Sequence, residues 1–279
     1  MLIRCWGARG SIPVSGAEYE RYGGDTTCIE IRTRDDEVVV IDAGSGIRRL
    51  GNRLIREKRQ ALYMVFTHAH WDHILGFPFF KPIYRRESSL RLFGCSYTRG
   101  TIQGLLSRTM QSPFFPFEFA DLQADLSYQE ICSASFPLHS VTVTPIPLSH
   151  PNRGVGYKFQ EDGKTFVFLT DNELGFKHPG GLDFQDYVDH CRGADLLIHD
   201  AEFTQEEYPS TRSWGHSVVQ DALKLATEAE VKRFGIFHHN QERADQQIDQ
   251  IVGECRRIIA DRGVPMECFA LTQETEMRL

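Results

Sequence analysis

The chain has 279 residues, 41% hydrophobic and 25% charged, enough to bury a full core without disulfide or metal staples. A formal net charge of −7 argues against broad, nonspecific binding to nucleic acid or acidic membranes. No apolar stretch approaches the ~20 residues of a membrane span, and "MLIRCWGARGSIPVSG" lacks the apolar core of a secretory leader. The seven cysteines are scattered without a C-x-x-C pair, so the expectation is a cytoplasmic protein with reduced thiols.

In chain order, "TTCIEIRT" alternates as a strand, "RDDE" makes a polar turn, and "VVVIDAG" is continuously apolar, as a strand covered on both faces would be. "GIRRLGNRLIREKRQ" places Ile47, Leu50, Leu54 and Ile55 on one helical face, and "ALYMVFT" is the next buried strand. From Gly76 to about His139 the pattern loosens. "GFPFFKPIYRRESS" and "MQSPFFPFEF" are rich in Pro and Phe, with a short strand-like "LRLFG" between them. This region (76–139) lacks a periodic core and reads as an insertion or lid within a single 1–279 domain.

"HSVTVTPIPLSH" alternates as a strand, and "VGYKFQEDGKTFVFLTD" is a hairpin turning at Asp162-Gly163. Phe184, Tyr187, Val188 and Cys191 share a helical face, and "ADLLIHDAEF" is a buried strand. "HSVVQDALKLATEAE" is an amphipathic helix with Ser217 and Gln220 spaced as a capping box. The strand "RFGIFHHN" and a helix ending near Gly263 close the chain. A weak internal echo links strand–helix–strand units at Asp42–His68 and Asp171–His199, 26 and 28 positions apart. Two such half-sheets with helices outside predict an α/β fold, a four-layer αββα sandwich whose strand ends meet at one edge.

The chemistry sits where "ALYMVFT" ends. His68, Ala69, His70, Trp71, Asp72 and His73 spell H-x-H-x-D-H. In an extended segment His68 and His70 point the same way and reach one ion, while a turn would aim Asp72 and His73 at a second. Imidazole nitrogen with carboxylate oxygen suits Zn²⁺, with Mn²⁺ or Fe as alternatives. A single histidine there would be an ordinary polar loop residue; three with an aspartate point to metal. Two divalent ions need more ligands, and these stand where strands stop: His150, Asp171, and either His238 or His239. Alone, such an Asp caps a turn and such a His simply packs. Beside H-x-H-x-D-H they read as a set.

On these motifs the chain resembles the metallo-β-lactamase superfamily over most of its length, in the branch of tRNA 3′-processing endonucleases and PhnP-like cyclic phosphodiesterases. The resemblance implies that His68, His70 and His150 hold one ion, that Asp72, His73 and His238 hold the other, and that Asp171 bridges them. His238 is preferred to His239 because "GIFHH" aligns with the family's "LTH" pattern. "HDAEF" resembles the endonucleases' "HEAT" motif, with Asp200 in place of its Glu, and "GHS" resembles their "HST". His216 is therefore the implied general acid, oriented by Asp200. Asp42 in "IDAGSG" matches a position expected to orient ligand histidines.

A water between two cations loses a proton near neutral pH and becomes the nucleophile, with Asp72 steering it, while an imidazole protonates the leaving alkoxide. The expected function is hydrolysis of a small cyclic nucleotide or short nucleotide diester. No Gly-rich basic arm of the kind the endonuclease relatives use on tRNA is evident, which disfavours extended nucleic acid as a partner. The alternatives are a thioester or lactone hydrolase or an RNA 3′-end endonuclease on the same scaffold. An iron redox protein is disfavoured by the lack of a flavin-binding domain, and a binding-only relative by the full set of ligand positions. "WGARGSIPVSG" and "RYGGDTTC" resemble active-site loops of cyclic-nucleotide phosphodiesterase-like members. Arg9 and Arg153 are left unassigned as lone arginines. The Phe-rich stretches (Phe77 to Phe80, Phe114 to Phe119) read as core, with sheltering a base or a homodimer contact as the other expectations.

Overall fold

The computed structural model describes residues 1–95 and 100–279. Among them, the strands form two seven-stranded sheets. In the first, β1 (Leu2–Gly7), β2 (Cys28–Arg32), β3 (Val38–Ile41), β4 (Ala61–Val65), β5 (Ser89–Gly94) and β6 (Asp125–Glu130) lie side by side in chain order. The second continues with β7 (Phe136–Leu138), β8 (Val141–Leu148), β9 (Gly154–Glu161), β10 (Lys164–Leu169), β11 (Leu196–Asp200), β12 (Arg233–Phe237) and β13 (Glu267–Ala270). The C-terminal β14 (Glu276–Arg278) returns to pair with β1. Helices α1 (Ile47–Arg56), α2 (Trp71–Ile74) and α3 (Ile102–Thr109) cover the first sheet; α4 (Phe184–Cys191), the short α5 (Tyr208–Thr211), α6 (Val219–Glu228) and α7 (Asp245–Asp261) belong to the second half.

The layers follow from alternation on strands that have no wet face. In β3, Val38 and Val40 pack outward with Ile47, Leu50 and Leu54, while Val39 and Ile41 point between the sheets toward the cluster holding Phe166, Phe168 and Ile198. Each such aliphatic side chain contributes roughly 1.5–3 kcal/mol on full burial. β10 divides likewise, Val167 and Leu169 outward and Phe166 and Phe168 inward. The internal echo is real in space: β3–α1–β4 and β10–α4–β11 are parallel units, paired in register Val38↔Leu62 and Phe166↔Leu196. The four-layer αββα sandwich is therefore the fold, and the carboxyl ends of β3, β4, β10, β11 and β12 open on one edge.

Several local expectations change in the structure. β2 is buried along its whole length rather than alternating. Its polar residues are paired where they lie: Glu30 accepts from Trp6 Nε1 at 2.9 Å and binds Arg32, which also reaches Glu57 at 2.5 Å. The lid-like 76–139 segment supplies two parallel strands, β5 and β6, to the first sheet, and Phe77, Phe80, Ile83, Leu90, Leu92, Leu106 and Met110 to its outer core. β6 escaped notice because only one face of "DLSYQE" meets protein. Phe79, Phe114 and Phe117 stay exposed.

Ser217 does not cap α6. Its hydroxyl donates to Asn172 O at 2.5 Å and accepts from Leu174 N at 3.0 Å, binding two site loops instead. The thiols are not all reduced: Cys95 and Cys132, at the ends of the neighbouring β5 and β6, form a disulfide, and five buried cysteines remain free. The Asp162-Gly163 turn forms as expected, with both residues at positive φ (50° and 73°). No helix among the described residues is long and apolar enough to cross a membrane.

Candidate metal centre

β4 runs straight into the motif. Thr67 follows the strand and is fixed by Asp42, whose Oδ1 accepts its N–H at 2.7 Å and whose Oδ2 accepts its hydroxyl at 2.6 Å. His68 comes next, His70 (φ −66°, ψ 154°) stands at the N-cap position of the short helix α2, and Asp72 and His73 lie buried in that helix. Asp171 and His238 follow the last residues of β10 and β12, and His150 follows β8. Asp42, Asp171 and His238 all adopt left-handed backbone (φ 59°, 51° and 57°), a costly conformation for residues with a Cβ that turns each side chain into the edge.

Three groups of donors result, the donor atoms of each within 4.8 Å of one another: His68, His70, His150 and Asp171; Asp72, His73, Asp171 and His238; and, beside these, Asp200, Glu202, His216 and His238. The first two share Asp171. Asp171 belongs to both through different oxygens. Its Oδ2 lies 3.5 Å from His68 Nε2 and 3.9 Å from His150 Nε2; its Oδ1 lies 3.2 Å from His73 Nε2 and 3.4 Å from His238 Nε2. His70 Nδ1 approaches His150 Nε2 at 3.1 Å, and Asp72 Oδ2 approaches His238 Nε2 at 3.0 Å.

The outward nitrogens are spoken for. His73 Nδ1 donates to Asp42 Oδ2 at 2.7 Å, His150 Nδ1 to Gly215 O at 2.9 Å, and His238 Nδ1 to Glu202 Oε2 at 2.9 Å. In the neutral rings this leaves each Nε2 lone pair facing the centre. The Nε2 atoms of His68 and His73 are buried with no hydrogen-bond partner. Such orphans are rare in a protein interior, and here they lie among carboxylate oxygens. The donor set therefore fits a pair of divalent cations.

The electrostatics agree. Burial, with like-charged neighbours, pushes His68 well below the usual histidine range and His150 down to about 3, so both rings are neutral donors. Burial alone would raise Asp72 and Asp171, but the surrounding imidazoles reverse this and hold both carboxyls well below the ordinary range. Burial disfavours protonated His73 and His238, yet the carboxylates of Asp171, Asp72, Asp42 and Glu202 outweigh it and raise their proton affinity. A cation at the same place would compete with those protons.

The family model of the β-lactamase superfamily domain matches residues 37–239, which is most of the chain and includes all seven donors described. The chain belongs to the metallo-β-lactamase superfamily. Ribonuclease Z of Sulfolobus acidocaldarius is 23% identical over 86% of this chain and 91% of its own length. The metallo-β-lactamase fold protein YhfI of Bacillus subtilis superposes with a TM-score of 0.72 at 15% identity, covering 99% of this chain and 98% of its own. A diphosphatase from the PhnP family superposes with a TM-score of 0.71 at 17% identity, covering 100% and 97%.

In this superfamily member all seven expected ligand positions meet at the sheet edge. His239 does not join them: its Nε2 donates to Leu271 O at 2.8 Å, away from Asp171. Arg9 is fully buried, its guanidinium donating to the carbonyls of Gly23, Asn240 and Arg243. His216 stacks on His238 with ring centroids 4.7 Å apart, and its Nδ1 lies 3.2 Å from Asp200 and 3.5 Å from Glu202. Burial alone would lower His216, but those two carboxylates raise it to about 9. Asp200 also accepts the N–H groups of Asn172, Glu202 and Ser217, so it gathers three site loops.

Two residues of the site went unread in the sequence. Glu202 faces both His216 and His238; the motif resemblance drew attention to Asp200, although in the extended "DAE" positions i and i+2 share a face. Glu173 is buried and receives Tyr208 Oη, Ser213 N, Gly215 N and His178 Nε2 at 2.7–2.8 Å. Nothing in "LTDNEL" marks it, because three of its four partners, Tyr208, Ser213 and Gly215, lie in a distant segment that meets it only in the fold.

Proposed function

We propose that this chain is a dinuclear metal-dependent phosphodiesterase acting on a small cyclic nucleotide or a short nucleotide diester. One observation carries the reading: a single carboxylate, Asp171, presents one oxygen to each of two imidazole groups. In this reading His68, His70 and His150 would hold one ion and Asp72, His73 and His238 the other, with Asp171 shared by both groups; Zn²⁺ is the ion assigned. When bound, two such cations would supply Lewis acidity to generate a nucleophile from water and to offset charge on the phosphoryl oxygens.

The chain's own residues do the rest. Asp72 accepts the N–H of Ser11 at 2.9 Å, which fixes the carboxylate against the loop after β1. His216 keeps its Nδ1 proton on Asp200 and Glu202, leaving Nε2 to deliver a proton to the departing oxygen. Support for a phosphoester substrate comes from relatives named as ribonucleases and from the PhnP-family diphosphatase. The acidic chain favours a small substrate. Cleavage of RNA 3′ ends is the second reading, favoured by the likeness to ribonuclease Z.

The test incubates zinc-loaded protein with cyclic nucleotides, dinucleotide diesters, a precursor tRNA and a thioester panel, with products separated by chromatography. Turnover of the small diesters is expected. Thioester cleavage with no diester turnover would overturn the reading, and tRNA cleavage alone would transfer it to the endonuclease.

A further inference from the structure

Beside the first donor group lies an open cavity of 260 Å³ lined by His68, Ala69, His70, Leu105, Arg108, Asn152 and Arg153. Two of these are metal-ligand candidates, so the cavity opens directly onto the centre. The remaining polar lining is cationic or neutral; no carboxylate is among these residues, in a chain of net charge −7.

The two arginines reach the cavity from independent elements. Arg108 stands in the last turn of α3, a lid helix whose start is fixed by the Thr101 hydroxyl accepting Gly104 N–H. Arg153 stands in the turn between β8 and β9. There Asn152 and Arg153 are both left-handed (φ 63° and 69°), Arg153 N donates to His150 O at 3.0 Å, and Val155 N donates to Thr67 O at 2.9 Å. Two consecutive non-glycine residues in that conformation are costly, and the turn is pinned at both ends to the segments bearing His150 and His68. The Arg153 side chain runs along Gly180, where an added Cβ would come within 3.2 Å of Nε.

His216 is on another side. It lies against His150 and His238 and takes no part in lining the cavity. If the leaving oxygen departs toward His216, the retained arm of the substrate occupies the cavity.

The geometry points to Arg108 and Arg153 as a clamp for a second, non-scissile phosphate on the retained arm of the substrate. Planar guanidinium forks suit phosphate oxygens, and two of them converging from lid and turn would select a diester that carries a further phosphate. The cavity is slightly smaller than the ~300 Å³ at which small-ligand pockets begin, room for a phosphorylated sugar rather than a folded nucleic acid. This deepens the phosphodiesterase reading and rests on it.

The p-nitrophenyl ester of thymidine 5′-phosphate is compared with the same ester bearing a 3′-phosphate, and with one bearing a second nucleotide through a 3′-phosphodiester. The unaltered protein is expected to show a kcat/KM at least tenfold higher for an ester with the additional phosphate. Whichever of the two is preferred identifies a terminal or an internal phosphate as the group held. Arg108→Gln and Arg153→Gln should each cut that preference about fivefold, and Arg108→Lys should restore part of it. Both arginines are exposed, so the variants should fold. A preference near one in the unaltered protein, or an equal loss on all three esters, would overturn the clamp.

Calorimetry on metal-free protein separates the two readings. Thymidine 3′,5′-bisphosphate should bind at least tenfold more tightly than thymidine 5′-phosphate, and the Arg108→Gln change should remove the difference. If no ester is hydrolysed, the phosphodiesterase reading fails while this binding difference still decides the clamp. Equal binding of the two nucleotides refutes it.

Discussion

Replacing Glu173 by Gln tests whether one buried carboxylate holds the loop that presents His216 and braces His150. Oε1 accepts from Tyr208 Oη and Ser213 N, both at 2.7 Å; Oε2 accepts from His178 Nε2 and Gly215 N, both at 2.8 Å. An amide has a single acceptor oxygen, so either flip turns its NH₂ toward one backbone N–H that cannot accept, Ser213 or Gly215, and one partner that can, the Tyr208 hydroxyl or the His178 ring. One hydrogen bond to a carboxylate is therefore lost, worth about 1.5–3 kcal/mol. With an unfolding entropy of roughly 2.1 cal/mol/K per residue, a chain of 279 residues converts this into a Tm loss of about 3–5 °C. The same change frees Gly215, whose carbonyl takes the His150 Nδ1 proton at 2.9 Å. Losing such a brace lowers metal affinity about 10–100-fold. Scanning calorimetry and a zinc titration of stripped protein measure both. Native Tm together with native zinc affinity would refute the reasoning.

Asp171→Ala should lower bound zinc by at least one ion per chain, measured by elemental mass spectrometry, since the first two donor groups share that carboxylate; unchanged stoichiometry would remove it from the centre. His216→Asn should cost about 10²–10⁴ in kcat on a nucleotide diester with an alkoxide leaving group, and far less on a p-nitrophenyl ester that needs no proton. An equal loss on both substrates would mean that His216 acts by some other route. Digestion without reductant should release one crosslinked peptide containing Cys95 and Cys132, which reductant separates. Seven free thiols in the oxidised protein would contradict that link.

Much of this molecule is written in local pattern. Strands covered on both faces are apolar along most of their length, so "VVVIDAG", "ALYMVFT" and "ADLLIHDAEF" declare themselves and, through their echo, the two halves of the sandwich. H-x-H-x-D-H places four donors within six positions, close enough for one strand end and the short helix that follows it to aim them. What the sequence alone could not order were contacts made by residues far apart in the chain.

Whether His238 or His239 turns inward is decided by the left-handed φ of His238, a backbone torsion that no side-chain pattern encodes. Glu202 and Glu173 gain their roles only when β11 and the loop after β10 bring them to His238 and Gly215. Ser217 has a capping-box spacing but binds Asn172 and Leu174, because a buried loop carbonyl and N–H need a partner more than a helix end that other groups satisfy. Composition, periodicity and short motifs thus determined the layers and the first donors. The tertiary structure decided which distant polar groups face one another, because that depends on strand register and turn torsions that are settled only when both sheets pack.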